Sequence, residues 1–155
     1  MRPFVALAAL VMLVLPCRAA AAQASARDSV LATVQRAFDL MRSRDTSGMR
    51  SLFDSTARLI GVRDTTSATR PRTVSQFLAD VASTPAERAS DERMFDPEVR
   101  IEGPVAQVWT YYTFRSGTTF SHCGIDAVSL IRAGGSWKIV NFVWTVRTER
   151  CTRQD

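Results

Sequence analysis

The chain is poor in the residues that most catalytic sites are built from. It has a single histidine, His122, so neither an HExxH helix nor a multi-histidine metal site can be assembled. Its seven glycines form no phosphate-binding loop, and there is no GxSxG elbow and no EF-hand loop. These absences remove metalloenzymes, nucleotide-dependent enzymes and the common serine hydrolases, and the sequence implies no metal or cofactor. The basic residues are almost all Arg and are interleaved with Asp and Glu from Arg27 to Arg153. A nucleic-acid face needs a basic patch with stacking aromatics, and none is present. There are no internal repeats.

The longest apolar run, Phe4 to Leu15, is too short to span a bilayer. It follows a basic start, Met1-Arg2-Pro3, and precedes an alanine-rich stretch, which together make the three parts of a secretory signal peptide. Residues 1–22 are therefore expected to be removed, with cleavage after Ala22 or Ala24, leaving an exported, periplasmic or extracellular protein with no stable membrane anchor. Cys17 follows Pro16, which is larger and stiffer than the residue a lipoprotein site uses. Cleavage leaves 131 or 133 residues, enough for one domain, expected over 25–151 with a tail at 152–155. Without Arg2 and Arg18 there are 18 basic and 15 acidic residues, a net charge of +3.

What is present is a long hairpin near the end. Branched and aromatic residues alternate from Phe120 to Arg132 and from Trp137 to Thr148, around Ala133-Gly134-Gly135-Ser136. Two central glycines suit a tight turn in which both positions take positive φ. With Ala133 opposite Ser136, an unbroken ladder sets Leu130 against Ile139, Val128 against Asn141, Asp126 against Val143, Gly124 against Thr145 and His122 against Arg147. That face mixes polar and apolar groups, as a pocket wall does. The other face carries Ile125, Phe142, Trp144 and Val146, an apolar patch suited to a second layer or a second subunit.

Cys123 and Cys151 are the two cysteines that survive cleavage, and in an exported chain they most simply form one disulfide. Cys151 would lie about 16 Å beyond the partner of Cys123 if the strand continued at ~3.3 Å per residue, so the tail must bulge or fold back. A CxxC redox pair is absent.

Upstream, Ser25 and Asp28 are spaced as a capping box before Val30, Leu31, Val34, Ala37, Phe38 and Met41 at helical spacing. Asp45 or Ser47 can cap a short second helix through Met49 and Leu52. A strand is expected over residues 57–62, then a polar loop from Arg63 to Arg72. Thr73 and Gln76 cap a third helix, which Pro85 ends. Residues 86–93 are nearly all charged or small, either an idle loop or a mobile lid. Strands at 98–102 and 105–114, joined at Gly103-Pro104, lead into the hairpin. This order gives an α+β fold with helices on one face of an antiparallel sheet.

The order of elements, the stretch Arg44-Asp45-Thr46-Ser47-Gly48-Met49-Arg50-Ser51-Leu52-Phe53 and the ending Gly134-Gly135-Ser136-Trp137-Lys138-Ile139 resemble the nuclear-transport-factor-2-like (NTF2-like) superfamily. Phe120-Ser121-His122-Cys123-Gly124-Ile125-Asp126-Ala127 with a closing Cys151 resembles its SnoaL-like and "putative lumazine-binding" branch. The resemblance implies a cone-shaped fold, N-terminal helices packed on a strongly curved antiparallel sheet, and commonly a two-fold dimer through the outer face. It leaves activity open, because the superfamily holds isomerases, dehydratases, hydrolases, binding proteins and interaction domains.

Ketosteroid isomerase, in the same superfamily, has an Asp on the strand that matches Ile125-Asp126, followed by apolar positions matching Val128 and Leu130. By that likeness Asp126, Val128 and Leu130 face the pocket, with His122, Asn141, Val143 and Thr145 beside them, and Val128, Leu130, Asn141 and Thr145 are expected to contact a ligand. A carboxyl in an apolar cavity holds its proton to higher pH and can serve as hydrogen-bond donor or general acid, with His122 as base or orienting donor. The alternative for Asp126 is a carboxylate bonded to backbone or to Arg147. The isomerase's Tyr on the first helix is missing, with Phe38 on that apolar face, and the first strand offers only Arg58 as a charged residue. On residues 105–114, Trp109 and Tyr111 share one face and Val108, Tyr112 and Phe114 the other; one group lines the cavity, and Trp109 and Tyr111 are the candidate ligand contacts. The expectation is a small-molecule-binding domain that forms a homodimer through Ile125, Phe142, Trp144 and Val146. A cofactor-independent enzyme using Asp126 and His122, or an interaction domain with a filled interior, is the alternative.

Overall fold

The alanine-rich stretch before Ser25 does not end where the capping box would start a helix. In the computed structural model, which describes residues 15–153 and their side chains from residue 23, one helix, α1, runs through it from Leu15 to Ser43. Alanine is the strongest helix former, so the helix propagates across Ser25 and no box forms there. The signal-peptide expectation for residues 1–14 and the tail residues 154–155 lie outside the described part. From Val30 onward the expected face is buried: Val30, Val34, Ala37, Phe38 and Met41 are each 7% exposed or less. Arg44 adopts positive φ, 60°, and the Asp45 N–H donates to the Leu40 carbonyl at 2.9 Å, which stops the helix.

Asp45 then caps α2, Thr46–Leu52, accepting from the Gly48 N–H at 2.8 Å. Strand β1 is Phe53–Arg63, longer than expected at both ends. The stretch read as a polar loop holds a further strand, β2, Thr69–Thr73, antiparallel to β1. Its Arg, Pro and Thr residues look like a loop because an edge strand needs only one row of ladder bonds and tolerates proline. The capping box at Thr73 and Gln76 forms as expected and opens α3, Val74–Ser83.

The stretch 86–93 is likewise not a free loop. After one short turn at Ala86–Arg88, strand β3 begins at Ser90 and continues to Glu102, paired with β4, Val105–Ser116. β5 is Thr119–Ala133 and β6 is Ser136–Val146, joined by the expected turn, with Gly134 and Gly135 at φ 57° and 79°. The six strands form one sheet in the order β2-β1-β6-β5-β4-β3, antiparallel except for the parallel β1–β6 pair. Helices α1 and α3 lie on one face, where Phe38, Met49, Leu59, Val108, Val128, Leu130 and Ile139 form the core.

The hairpin departs from an unbroken ladder at one point. Leu130 opposes Ile139 as expected, but the next rung sets Ser129 against Asn141, so one residue of β6 is bulged out at Val140. Every later pair shifts by one: Val128 meets Phe142, Asp126 meets Trp144 and Cys123 meets Arg147. Because side chains alternate, this slip turns Phe142 and Trp144 to the helix-covered inner face and Asn141, Val143 and Thr145 to the outer one. The tail folds back as the cysteine spacing requires, with Arg150 at φ 55°, and Cys123 and Cys151 are joined with Cα atoms 5.8 Å apart.

Candidate functional site

On β5 the inner face reads His122, Gly124, Asp126, Val128, Leu130, and its two ends differ. Val128 and Leu130 are sealed in the core. Gly124 opens space above them: a Cβ there would lie 2.8 Å from a ring carbon of Tyr112 and 2.0 Å from the Thr145 carbonyl oxygen. Tyr112 of β4 lies across this gap and its hydroxyl donates to that carbonyl at 2.7 Å. Gly61 of β1 does the same for Trp144, whose ring would stand 3.0 Å from an added Cβ.

Asp126 is fully buried, and among the described residues no N–H or hydroxyl donates to either carboxyl oxygen. The charge that acts on it is the carboxyl of Glu92, which is 8% exposed. Burial first, and then the partner's charge, raise Asp126 well above the usual carboxylate range. Burial likewise lifts Glu92 to about 7. The two titrate as a pair, and burial favours the protonated forms of both. The same surroundings, burial and then the two carboxyls, hold the proton on the Tyr112 hydroxyl.

Glu92 is the residue the sequence reading missed, because it lies in the charged stretch taken for a loop or lid. Its signal was the period-two alternation of Ser90, Glu92 and Met94 against Asp91, Arg93 and Phe95, continuous with β3.

A cavity of about 380 Å³ opens beside this pair, between the sheet and the helices. Its walls are Phe77 and Val81 of α3, Met41 of α1, Phe142 and Trp144 of β6, and Tyr112 and Phe114 of β4. Glu92 and His122 supply the inner polar groups, and Arg70, Arg72, Asp80 and Thr84 line it as well. His122 stacks on Phe114 with ring centroids 4.6 Å apart and meets Tyr112 edge-on at 5.7 Å. Its pKa is lowered to about 4, by burial and then by Arg63, so the imidazole is neutral at physiological pH.

The expected opponent of His122 was Arg147, but Arg147 pairs with Cys123 and its guanidinium reaches Cys123 Sγ and the Tyr111 ring on the outer face. That placement also removes the alternative in which Arg147 binds Asp126.

The remaining candidates separate by face. His122, Phe142 and Trp144 come together around the cavity, while Asp126, fully buried, is outside its lining and is coupled to it only through Glu92. Asn141 and Thr145, expected as ligand contacts, face outward, and Thr145 Oγ1 accepts from the Ile125 N–H at 2.9 Å. Trp109 and Tyr111 are outward as well: Trp109 is 55% exposed, and the Tyr111 hydroxyl accepts from the Thr152 N–H at 3.1 Å. The aromatic group that lines the cavity is therefore Tyr112 with Phe114. Of the four residues expected on a dimer face, Ile125 is outward, Phe142 and Trp144 are inward, and Val146 lines a second pocket beside Arg63. Among the described residues no group of three or more His, Cys, Asp or Glu side chains could hold a metal ion.

Helices on a mostly antiparallel six-stranded sheet, with a buried acid and an imidazole in the wall of an aromatic cavity, define an NTF2-like α+β domain. Comparison with known families takes this further: the chain belongs to the family described as "putative lumazine-binding", which matches residues 25–145. Among solved structures, an NTF2-like protein with a cystatin-like fold from Novosphingobium aromaticivorans is 16% identical, with TM-score 0.70, over 93% of this chain and 96% of that one. An NTF2-like protein of unknown function from Shewanella baltica is 13% identical, with TM-score 0.63, over 81% and 97%. A protein of unknown function from Mycobacterium tuberculosis is 14% identical, with TM-score 0.67, over 86% and 77%. At these identities the likeness is one of fold. No curated protein matches the chain.

Proposed function

We propose that this chain is an exported small-molecule-binding domain whose cavity takes a flat, partly apolar ring. One observation carries the reading: an aromatic-walled cavity of about 380 Å³ has the buried Glu92 carboxyl in its wall, and burial favours the protonated form of Glu92 and of the Asp126 coupled to it. That volume falls within the range of roughly 300 to 1,000 Å³ usual for small-molecule sites, which are apolar with a few fixed polar groups. A carboxylic acid kept neutral donates to a carbonyl or ring nitrogen that water would otherwise satisfy. The family's description names lumazine, a flat heterocycle rich in such acceptors, and this supports the shape if not the identity of the ligand. In this reading Asp126 acts through Glu92, and His122 offers a neutral imidazole edge.

The test is native mass spectrometry of the protein purified from its own host, beside Asp126→Asn. A co-purifying small molecule, lost or reduced in the variant, is expected. Wild type arriving empty would count against the reading.

A second reading, cofactor-independent acid–base catalysis at the same place, is favoured by the carboxyl pair itself, since two coupled acids can hold and return one proton. A pure interaction domain is the least supported, because it has no use for an open cavity. Export is supported by the Cys123–Cys151 disulfide, and removal of the leader after Ala22 or Ala24 would shorten α1 at its N-terminal end. We place a homodimer on the outer face of the sheet, where Trp109 and Val105 are 55% and 49% exposed.

A further inference from the structure

The missed strand β2 brings two arginines to the cavity. Arg70 pairs with Gly61 and Arg72 with Leu59. Leu59 is buried in the core and Gly61 lies under the Trp144 ring, so both arginines share the inner face. Arg63, two residues beyond Gly61, belongs to the same face and lines a neighbouring pocket that shares Arg70, Arg72, His122 and Trp144 with the aromatic cavity. Three guanidiniums thus border one side of the opening.

Little on the protein answers them. Asp80 of α3 pairs with Arg72 at 2.9 Å. Neither Arg63 nor Arg70 has an ion pair among the described residues, and the buried Nε of Arg72 has no hydrogen-bond partner. The charges also act on one another: burial and then Arg70 disfavour the charged form of Arg72. Like charges held together on an edge strand destabilise the fold unless something of opposite sign joins them.

We infer that the cavity's ligand is an anion: its ring enters the aromatic chamber while a carboxylate or phosphate at its outer end rests on Arg63, Arg70 and Arg72. The inference rests on the small-molecule-binding reading and adds a direction to it. Glu92 in the wall, with the buried Asp126 coupled to it, repels negative charge as the two ionise, so Glu92 takes the neutral, acceptor-bearing end. The planar guanidinium forks match the two or three oxygens of the acid.

The experiment is calorimetric titration of the full chain with three matched probes, 2-naphthoate, 2-naphthyl phosphate and 2-naphthamide, at 50 and 300 mM NaCl. One or both acids should bind about tenfold or more tightly than the amide, as expected for a hydrogen bond to a charged group in a partly dry site. The gap should narrow at the higher salt. The tighter of the two acids names the anion. Arg70 is exposed, on an edge strand and without an ion pair, so Arg70→Gln should fold, and it should cut the acid-to-amide affinity ratio to about threefold or less. Equal binding of acids and amide, or an unchanged ratio in Arg70→Gln, overturns the anion inference and leaves the ring-binding reading in place. Failure of all three probes to bind overturns both.

Discussion

Replacing Glu92 by Gln should make the protein more stable at pH 8 and leave it nearly unchanged at pH 5. The native state raises Glu92 to about 7 from the 4.5 of a free side chain, and raises Asp126 as well. An acid with a raised native pKa binds more protons folded than unfolded. Its contribution is therefore complete below pH 4 and is lost as pH rises through 7. At pH 8 Glu92 alone then costs about 3 kcal/mol, an order-of-magnitude value from 1.36 kcal/mol per pH unit. Glutamine has the same shape and no charge to desolvate, and it also relieves Asp126 of a like charge.

His122 works in the opposite sense. With a folded pKa of about 4 against 6.5 free, its contribution is complete above pH 6.5 and is lost as pH falls toward 4. It is common to both proteins and cancels in the difference between variant and wild type. Urea unfolding with the disulfide intact, at pH 5 and pH 8, reads that difference directly. A gain of up to about 3 kcal/mol at pH 8, worth roughly 10 °C in Tm for a domain of this size, is expected. A difference that does not grow from pH 5 to pH 8 would refute the claim that the two carboxyls share a buried site.

Four other outcomes follow from the packing. Gly124→Ala should destabilise by about 1 to 3 kcal/mol in a melting experiment, because the new methyl meets the Thr145 carbonyl at 2.0 Å and backbone cannot step aside. Gly134→Ala, in open space at the hairpin turn, should lose only the φ preference, a smaller effect. Reducing the Cys123–Cys151 bond, which closes a loop with a sequence separation of 28, should cost about 3 to 4 kcal/mol on the chain-entropy estimate, read as a lower urea midpoint with reductant. Trp109→Arg should shift the mature protein from dimer to monomer in sedimentation at micromolar concentration, and a wild type that is already monomeric there removes the outer-face dimer.

Much of this architecture was legible because local chemistry dictates it. Gly134-Gly135 specified the turn, Thr73 and Gln76 the cap of α3, and Cys123 with Cys151 required a tail that folds back. The site was less legible, and a single residue accounts for most of the loss. A bulge at Val140 leaves the local alternation of β6 looking regular, so counting outward from the turn put Asn141 inside and Phe142 and Trp144 outside. The hydrophobic pattern held the correction: Trp137 and Ile139, then Phe142 and Trp144, share an inner face if one residue is skipped between the pairs. Glu92 and the arginines of β2 were missed for a related reason. Strands at or near a sheet edge carry polar residues that resemble loops, and only their partners β4 and β1 reveal which of those residues turn inward.

The central claim is that the cavity over Glu92 and Asp126 is a ligand site. Electron density from crystals of protein purified from its own host tests it most directly. A planar molecule is expected in the cavity, with a polar atom within hydrogen-bond distance of the Glu92 carboxyl. An interior closed by rearranged side chains, with Glu92 and Asp126 separated and solvated, would contradict it.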